Sequence, residues 1–423
     1  MTLTLGAFGP YLAPGLRTEQ VGVYGAVAAL FLFGLWMRVR LTGTAQWVAA
    51  AHLTLIAVAA SGVLLPPPNH TLYRPGSILA GLDNVLLPIA VVAVVGMLVG
   101  AGADPGRMLR AVCASVVWAM AGNALLAIHS AASDDTRVLA PFRLFGEAES
   151  VADRAEQLGR YSGIFNQPAE AGLVYSVAVL AALYLYQQHI GRLTVALLAL
   201  TVGGVLSVSK VFLLVGVPVA IAYALLAPGR WRRLAAVGAA TVAAHLVASR
   251  YLDQWEGQSF ALRLLPGSSG SSDQVGVYTA GRFGGQSTLQ DVVDIMFAIS
   301  PTFGVGLGGL QMAYDNGWVE VLVMAGLFGV ALHTALLAAL LVGWAGVRNG
   351  RPESGLAGGL VLVVIGASFG LPALTANRCA TAVWLLLGLL LLVRRDGSGG
   401  PWWQEVGSGR HRTLLPQGVP LRR

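Results

Sequence analysis

Apolar runs separated by polar connectors make up most of this 423-residue chain. A run of about 20 apolar residues is long enough to cross a bilayer as a helix, and the shorter runs are marginal or tilted spans. Eleven stretches fit this pattern: Val21–Met37, Ala45–Leu65, Ile78–Ala101, Ala111–His129, Ala169–Tyr186, Leu193–Ser207, Val211–Ala227, Leu234–Ser249, Gly317–Val342, Leu356–Leu374 and Ala380–Val393. The pattern predicts an all-α polytopic membrane protein with about eleven transmembrane helices.

The basic residues lie between the apolar runs and distinguish the two sides of the predicted membrane domain. One set of connectors holds most of them: Arg38, Arg40, Arg107, Arg110, Arg192, Arg230, Arg232, Arg233, Arg348, Arg351 and the tail from Arg394. The short connectors of the opposite set hold only Arg74, Lys210 and Arg378. Since short cytoplasmic loops carry the excess of basic residues, the first set is predicted to be cytoplasmic, and the N-terminus is predicted to be outside.

This topology divides the chain into three regions. Residues 1–20 are predicted to be an outer interfacial lead-in. Residues 21–393 form the transmembrane domain, with two long, structured outer loops at 130–168 and 250–317. Residues 394–423 form a basic cytoplasmic tail whose Gly and Ser content and Trp402-Trp403 pair predict a surface-lying or disordered segment.

Composition agrees with a membrane protein and excludes several other classes. Hydrophobic residues are 56% and charged residues 11% of the chain, against about 25% charged residues in soluble domains. The net charge of +7 is dispersed and densest in the tail, which indicates anionic lipids as partners and no nucleic acid. Cys113 and Cys379 sit in or beside apolar runs and are interpreted as small hydrophobes. The histidines lack ligand spacing, so no metal site is predicted: His52, His129, His189, His245 and His333.

The outer loops have patterns typical of folded segments. Residues 142–158 predict a short amphipathic helix ending at Gly159. Residues 287–290 read as a capping box, and Leu289, Val292, Val293, Met296 and Ile299 follow at helical spacing, with Asp291 and Asp294 facing away. This second helix is expected to lie flat on the membrane or over the bundle. The glycines of Ser300–Gly309 would permit close backbone approach to a ligand.

Three basic residues in or near these loops are candidates for binding an anion. Arg160 and Arg282 stand in separate outer loops, and an arginine presents a planar fork of donors suited to phosphate oxygens. Together the two side chains could hold a pyrophosphate; alternatively each anchors its loop to lipid headgroups or local acids. Lys210 lies in the tight turn Ser207-Val-Ser-Lys210, where it could contact an anionic headgroup or only mark the interface.

Carboxylates and amides gather at the same predicted outer side. Asp315 and Asn316 precede the Gly317–Val342 span, Glu320 lies one turn into it, and Asp83 and Glu170 lie near the outer ends of other spans. Carboxylates at membrane depth are usually paired or functional, and Asp315 could act as general base for a sugar hydroxyl. The alternative for Asp315 is a helix N-cap, for which Asp is a preferred residue.

Asp315-Asn316-x9-Gly326-x2-Gly329 resembles the signature of the O-antigen ligase/polymerase superfamily of bacterial integral membrane glycosyltransferases. The residues 160–168, Arg-Tyr-Ser-Gly-Ile-Phe-Asn-Gln-Pro, resemble the family's Arg-x-x-Gly-x-x-x-x-Pro segment. Ser207-Val-Ser-Lys210 resembles its Ser-x-Ser-Arg turn, and residues 299–308 resemble its Pro-x-x-Gly-x-Gly stretch. The resemblance covers about residues 130 to 393. In the ligases the signature begins with His, where this chain has Asp315.

The resemblance implies a GT-C-like bundle that performs a metal-independent transfer at the outer face of the bacterial plasma membrane, without a cofactor. A saccharide carried on undecaprenyl pyrophosphate passes to a sugar hydroxyl of a glycan acceptor, and a flippase and a chain-length regulator are possible partners. The implied catalytic residues are Asp315, Arg160 and Arg282, and Lys210 is implied as a further pyrophosphate-binding residue. Asn316 belongs to the same motif as Asp315, while Glu170, Glu320 and Arg378 lie at the predicted outer ends of spans; these four are predicted to bind the substrate. The replacement of His by Asp315 favours a surface or capsular polysaccharide polymerase over a lipid A-core ligase.

A different class of protein fits the same hydropathy. A flippase for lipid-linked oligosaccharides, or another transporter, would also use arginines to handle anionic cargo. Against it, the two halves of the chain show no internal repeat, and no charged residue lies near a mid-span position, where transporter sites usually lie. The charges gather at the predicted outer mouth, which suits an interfacial enzyme.

Overall fold

The computed structural model describes residues 2–13, 15–65, 67, 76–133, 137–143, 151–226, 230–251, 288–311, 316–347 and 352–393. Its α-helices, in chain order, are α1 (Thr2–Ala7), α2 (Thr18–Leu32), α3 (Gly43–Leu64), α4 (Ile78–Gly100), α5 (Pro105–Ser133), α6 (Val151–Gln157), α7 (Pro168–Leu185), α8 (Ile190–Leu206), α9 (Val217–Leu226), α10 (Arg230–Tyr251), α11 (Thr288–Ile299), α12 (Gly317–Ala345), α13 (Pro352–Ala367) and α14 (Asn377–Leu387). Short 3-10 helices cover Leu35–Arg38 and Arg137–Phe142, and π-helical segments cover Val211–Gly216 and Gly388–Leu392.

Each of the eleven predicted apolar stretches overlaps a helical segment. In the part of the chain that the structure describes, five helices are long and apolar enough to cross a membrane: α3, α4, α5, α7 and α12. The other apolar helices are shorter, and α10 begins with a cluster of three arginines. The described helices therefore support the prediction of a helical membrane protein. The number of eleven spans and the assignment of the connectors to the two sides of the membrane stay predictions.

Helix α7 lies at the centre of the bundle. It starts with Pro168 at its first position, where a missing N–H costs nothing. All of its residues from Glu170 to Tyr184 are buried, and α5, α8, α13 and α14 pack around it. A helix that is apolar on every side is stable only when it is covered on every side. From Arg378 onward, α14 and the π-helical segment after it are also buried.

Helix α12 is broken in the middle, at Ala325 and Gly326. Gly326 has φ 63° and ψ −155°, a conformation that is essentially restricted to glycine. The break frees backbone groups, and an irregular segment before α12 bonds to them: Val305 N donates to Val323 O at 2.8 Å, Gly306 N to Met324 O at 3.2 Å and Leu327 N to Pro301 O at 2.8 Å. Non-helical backbone at membrane depth is tolerated only where such partners exist.

The glycine-rich segment Ser300–Gly309 therefore approaches the protein's own backbone. A Cβ on Gly62 of α3 would lie 2.8 Å from Gly306 Cα, and a Cβ on Gly81 of α4 would lie 2.9 Å from the carbonyl carbon of Leu307. Leu307 N also donates to Ala59 O at 3.1 Å. The close backbone approach expected from the glycines is present, but its partners here are α3, α4 and α12.

The two helices predicted in the outer loops are present with different extents. In α11, Leu289, Val292, Met296 and Ile299 are buried and pack on α12, while Asp291 and Asp294 are exposed, as expected. The first helix is described only over α6 and is followed by Gly159 in the left-handed region. Its buried face consists of Ala152 and Ala155, whereas Val151 and Leu158 are exposed.

Two further boundaries differ from the sequence predictions. Helix α13 ends at Ala367, seven residues before the predicted Leu374, because the chain turns there and Ser368 O accepts a hydrogen bond from Gly317 N at the start of α12. At the N-terminus, α1 is followed by a two-stranded antiparallel sheet, β1 (Tyr11–Ala13) with β2 (Leu16–Arg17). Ala7, Phe8 and Tyr11 are buried, so this lead-in packs into the bundle; its position at a membrane surface stays a prediction.

Candidate functional site

Arg143 organises the segment that leads to Arg160. Its guanidinium is buried and donates to Gly163 O from Nε at 3.1 Å and from Nη2 at 2.8 Å. It also pairs with Glu156 at 2.5 Å and with Asp153 at 3.0 Å. One arginine thus ties α6 to the chain on the far side of Arg160, because a planar fork can serve several acceptors at once. The sequence prediction did not single out Arg143; its signal was its place beside a cluster of acids.

Arg160 and the Lys210 turn come together. Tyr161 N donates to Leu206 O at 2.9 Å, and Arg160 Nη2 donates to Val208 O at 3.4 Å. Val208 has φ 42°, which is a genuine outlier for a β-branched residue. Lys210 then opens the π-helical segment Val211–Gly216. Strained residues and π-helical turns both concentrate at functional sites, and here they adjoin two of the predicted anion-binding residues.

Glu170 lies near this turn, and Arg378 lies close to Glu170 on the neighbouring helix α14. Ser209 fits against Gly172, where a Cβ would collide with its hydroxyl, and Glu170 is buried half a turn earlier on α7. The Cys379 thiol donates to Glu170 O at 3.5 Å. Arg378 is buried and donates to the carbonyls of Ile164, Gly9 and Phe142. Its guanidinium also lies over the rings of Tyr11 and Phe142, at 5.2 and 5.8 Å from the ring centroids, so Arg378 holds three segments of the chain together.

Asn316 and Glu320 position the start of α12. Asn316 Oδ1 accepts hydrogen bonds from Trp318 N at 2.8 Å and Val319 N at 3.3 Å, and its Nδ2 donates to Phe369 O at 3.1 Å. The N-cap of α12 is therefore Asn316, which corrects the interpretation of Asp315 as a possible cap. Glu320 is buried and accepts a hydrogen bond from the Thr375 hydroxyl.

Asp315 and Arg282, two of the three predicted catalytic residues, lie outside the described residues. The remaining predicted site residues, catalytic and substrate-binding, lie at one end of the bundle. Contacts run from Arg160 through the Lys210 turn to α7, from α7 to α14, and from residues 368–376 to the start of α12. The described candidates brought together in this way are Arg160, Lys210, Glu170, Arg378, Asn316 and Glu320.

A second buried charge network at this end was not predicted from the sequence. Arg17 pairs with Glu19 at 2.5 Å and with Asp83 at 3.0 Å, and Asp83 also accepts from Gln20 and Tyr24. Burial alone would lower the pKa of the Arg17 guanidinium, but the carboxylates of Glu19 and Asp83 outweigh it and raise that pKa above its usual value. Asp83 is therefore engaged in holding α2 to α4.

Exposure separates the basic residues of this end into two groups. Arg17, Arg143 and Arg378 are buried, and their described partners are carboxylates, backbone carbonyls and, for Arg378, two aromatic rings. Arg160 and Lys210 are partly exposed. Of the predicted anion-binding residues that the structure describes, these two are therefore exposed enough to meet a ligand from outside the bundle; Arg137 and Arg154 are exposed as well.

A comparison with models of known protein families gives no match. A search of curated protein sequences gives no match either.

Proposed function

We propose that the chain is a metal-independent membrane glycosyltransferase of the O-antigen ligase/polymerase type. It transfers or polymerises a saccharide linked to undecaprenyl pyrophosphate onto a sugar hydroxyl, at the outer face of the bacterial plasma membrane. The observation that carries this proposal is the contact of Arg160 Nη2 with Val208 O, which places two accessible basic residues, Arg160 and Lys210, on adjoining backbone.

The chemistry requires few groups. Pyrophosphate is already a good leaving group, so the enzyme has to stabilise its developing charge, position the two sugars and supply a base. In this proposal Arg160, Arg282 and Lys210 bind the pyrophosphate, and Asp315 accepts the proton of the acceptor hydroxyl. Asn316, Glu170, Glu320 and Arg378 support the site by fixing the helix ends around it. The proposed partners are the lipid-linked donor, the glycan acceptor, membrane lipids, a flippase and a chain-length regulator.

Replacement of Arg160 by Lys tests the proposal. Lysine keeps the charge but cannot reproduce a bidentate fork, so we expect severe loss of transfer in a purified assay with lipid-linked donor, at a normal level of folded protein. Arg154→Lys is the matched control, since Arg154 is exposed on the neighbouring helix α6, and it should behave as the parent. Full activity of Arg160→Lys would remove Arg160 from the site.

A flippase or another transporter is the second candidate. The observation that favours it is the break of α12 at Ala325 and Gly326 beside an irregular segment, since discontinuous helices form the binding sites of many transporters. Vesicles that contain the purified protein distinguish the two functions. Formation of a longer or transferred glycan with release of undecaprenyl pyrophosphate supports the transferase, whereas movement of intact donor across the bilayer supports the transporter.

A further inference from the structure

A small cavity lies beside the break in α12, and three titratable side chains line it. Glu320 precedes the break and His333 follows it on the same helix, and His52 reaches the cavity from α3. These side chains are 7%, 9% and 3% exposed, respectively. The cavity measures about 20 Å³, which is room for about one water molecule.

The hydrogen bonds of this cluster are incomplete at His333 and at the neighbouring Trp318, whose Nε1 also lacks a partner among the described residues. Glu320 accepts from the Thr375 hydroxyl. His52 Nδ1 lies 3.2 Å from Val48 O, a contact that requires the proton on Nδ1 and leaves Nε2 as an acceptor in the neutral ring. His333 Nε2 is buried and has no hydrogen-bond partner among the described residues. Buried polar atoms nearly always have partners, so this nitrogen points to a ligand in the cavity.

The surroundings restrict what that ligand is. The remaining side chains that line the cavity from α3, α12 and residues 372–375 are apolar or uncharged: Ala51, Leu55, Val321, Leu332, Leu336, Pro372, Leu374 and Thr375. Within the described part of the chain, no group of three His, Cys, Asp or Glu residues is arranged to hold a metal ion. A carboxyl group, two imidazoles and space for one water are instead the chemistry of a proton site.

We propose that Glu320, His52 and His333 form a proton-binding site inside the bundle, in which one water joins the Glu320 carboxyl group to His333 Nε2. A proton that enters is held by the carboxylate or by an imidazole, and the water donates to whichever group remains an acceptor. Trp318 fixes the His333 ring beside the cavity, with ring centroids 4.8 Å apart and an interplanar angle of 82°.

The site connects to the end of the bundle that holds the candidate functional residues. Glu320 lies one turn after Asn316, and Thr375 lies three residues before Arg378. The cluster therefore lies where the start of α12 packs against residues 368–376. This inference concerns proton binding alone and does not depend on the proposed transferase.

Infrared difference spectra of the purified protein, recorded across the pH range in which histidine titrates, test the proposal. We expect a carboxyl band that is lost in Glu320→Gln and that titrates with a changed midpoint in His333→Gln. His129→Gln is the matched control, because His129 is exposed on α5, and the midpoint should stay that of the parent. A Glu320 band that does not titrate, or one whose midpoint is the same in His333→Gln, would overturn the proposal.

Thr375→Val provides a second variant that keeps every titratable group. It removes the hydroxyl that donates to Glu320, so the frequency of the same band should change while the protein keeps its full set of titratable side chains. This variant assigns the band even where Glu320→Gln does not fold. A band whose frequency is identical in the parent and in Thr375→Val would contradict the assignment to Glu320.

Discussion

Gly326→Ala is the substitution for which the structure makes the sharpest prediction about the fold. Gly326 adopts φ 63° and ψ −155° at the break of α12. A Cβ at this position would lie 2.5 Å from Phe303 N and closer still to the carbonyl group of Thr302. All of these are backbone atoms of the segment that bonds to the break, so no side-chain rotation relieves the contact.

The expected magnitude follows from two separate costs. A non-glycine residue in a sparsely populated backbone conformation costs about 1–3 kcal/mol. Overpacking against atoms that cannot move away costs about 1–3 kcal/mol more. The sum of roughly 2–6 kcal/mol is a large part of the total stability of a typical protein, which is about 5–15 kcal/mol. We therefore expect a clearly lower melting temperature and a reduced yield of folded protein.

The assay is thermal unfolding of the detergent-purified protein, followed by the loss of the monodisperse peak in size-exclusion chromatography. Gly122→Ala is the matched control. Gly122 lies within α5, a Cβ there would meet no atom within 4 Å, and alanine favours a helix by about 1 kcal/mol over glycine. This control should melt at or above the parent temperature. An unchanged melting temperature for Gly326→Ala would refute the described break and its packing against Thr302 and Phe303.

Two further predictions concern the cap of α12 and the orientation of the chain. Asn316→Ala removes a buried N-cap and should lower the free energy of unfolding by about 0.5–2 kcal/mol. Asn316→Asp keeps the cap and loses only the donor to Phe369 O, so its melting temperature should fall between those of Asn316→Ala and the parent. Equal melting temperatures of all three proteins would contradict the capping role. Cysteines introduced at Ser133 and Ser271 should react with an impermeant thiol reagent in intact cells. The native Cys113 and Cys379 are buried and should give a low background. Reaction only after permeabilisation would invert the predicted topology.

The apolar helices of this protein could be predicted from its sequence because length and apolar composition decide them locally. The amphipathic spacing of Leu289, Val292 and Met296 was sufficient in the same way to identify the buried face of α11. The break of α12 was not predictable, since a single glycine in an apolar run is common in membrane helices. The break depends on hydrogen bonds from Val305 and Gly306, which lie earlier in the chain.

In the candidate site, too, features that depend on contacts between distant parts of the chain could not be predicted from the sequence. Asp and Asn are about equally good N-caps, so the sequence alone could not choose between Asp315 and Asn316; the hydrogen bonds of Trp318 and Val319 identify Asn316. The pairing of Arg17 with Asp83 joins residues 66 positions apart, and no local pattern predicts such a contact. The nearness of Arg160 to the Lys210 turn is likewise a property of the packed bundle.

The most direct test of the proposed function is the transfer reaction itself, with Asp315→Asn as the variant. Purified protein is incubated with undecaprenyl pyrophosphate-linked saccharide as both donor and acceptor, and glycan growth and the released lipid pyrophosphate are measured. Since Asn316 caps α12, the substitution leaves the cap in place and removes only the carboxylate. We expect polymerisation by the parent and a loss on the order of 10²–10⁴-fold in the variant, as for the removal of a general base. Absence of transfer by the folded parent, or activity of Asp315→Asn within a few-fold of it, would contradict the account.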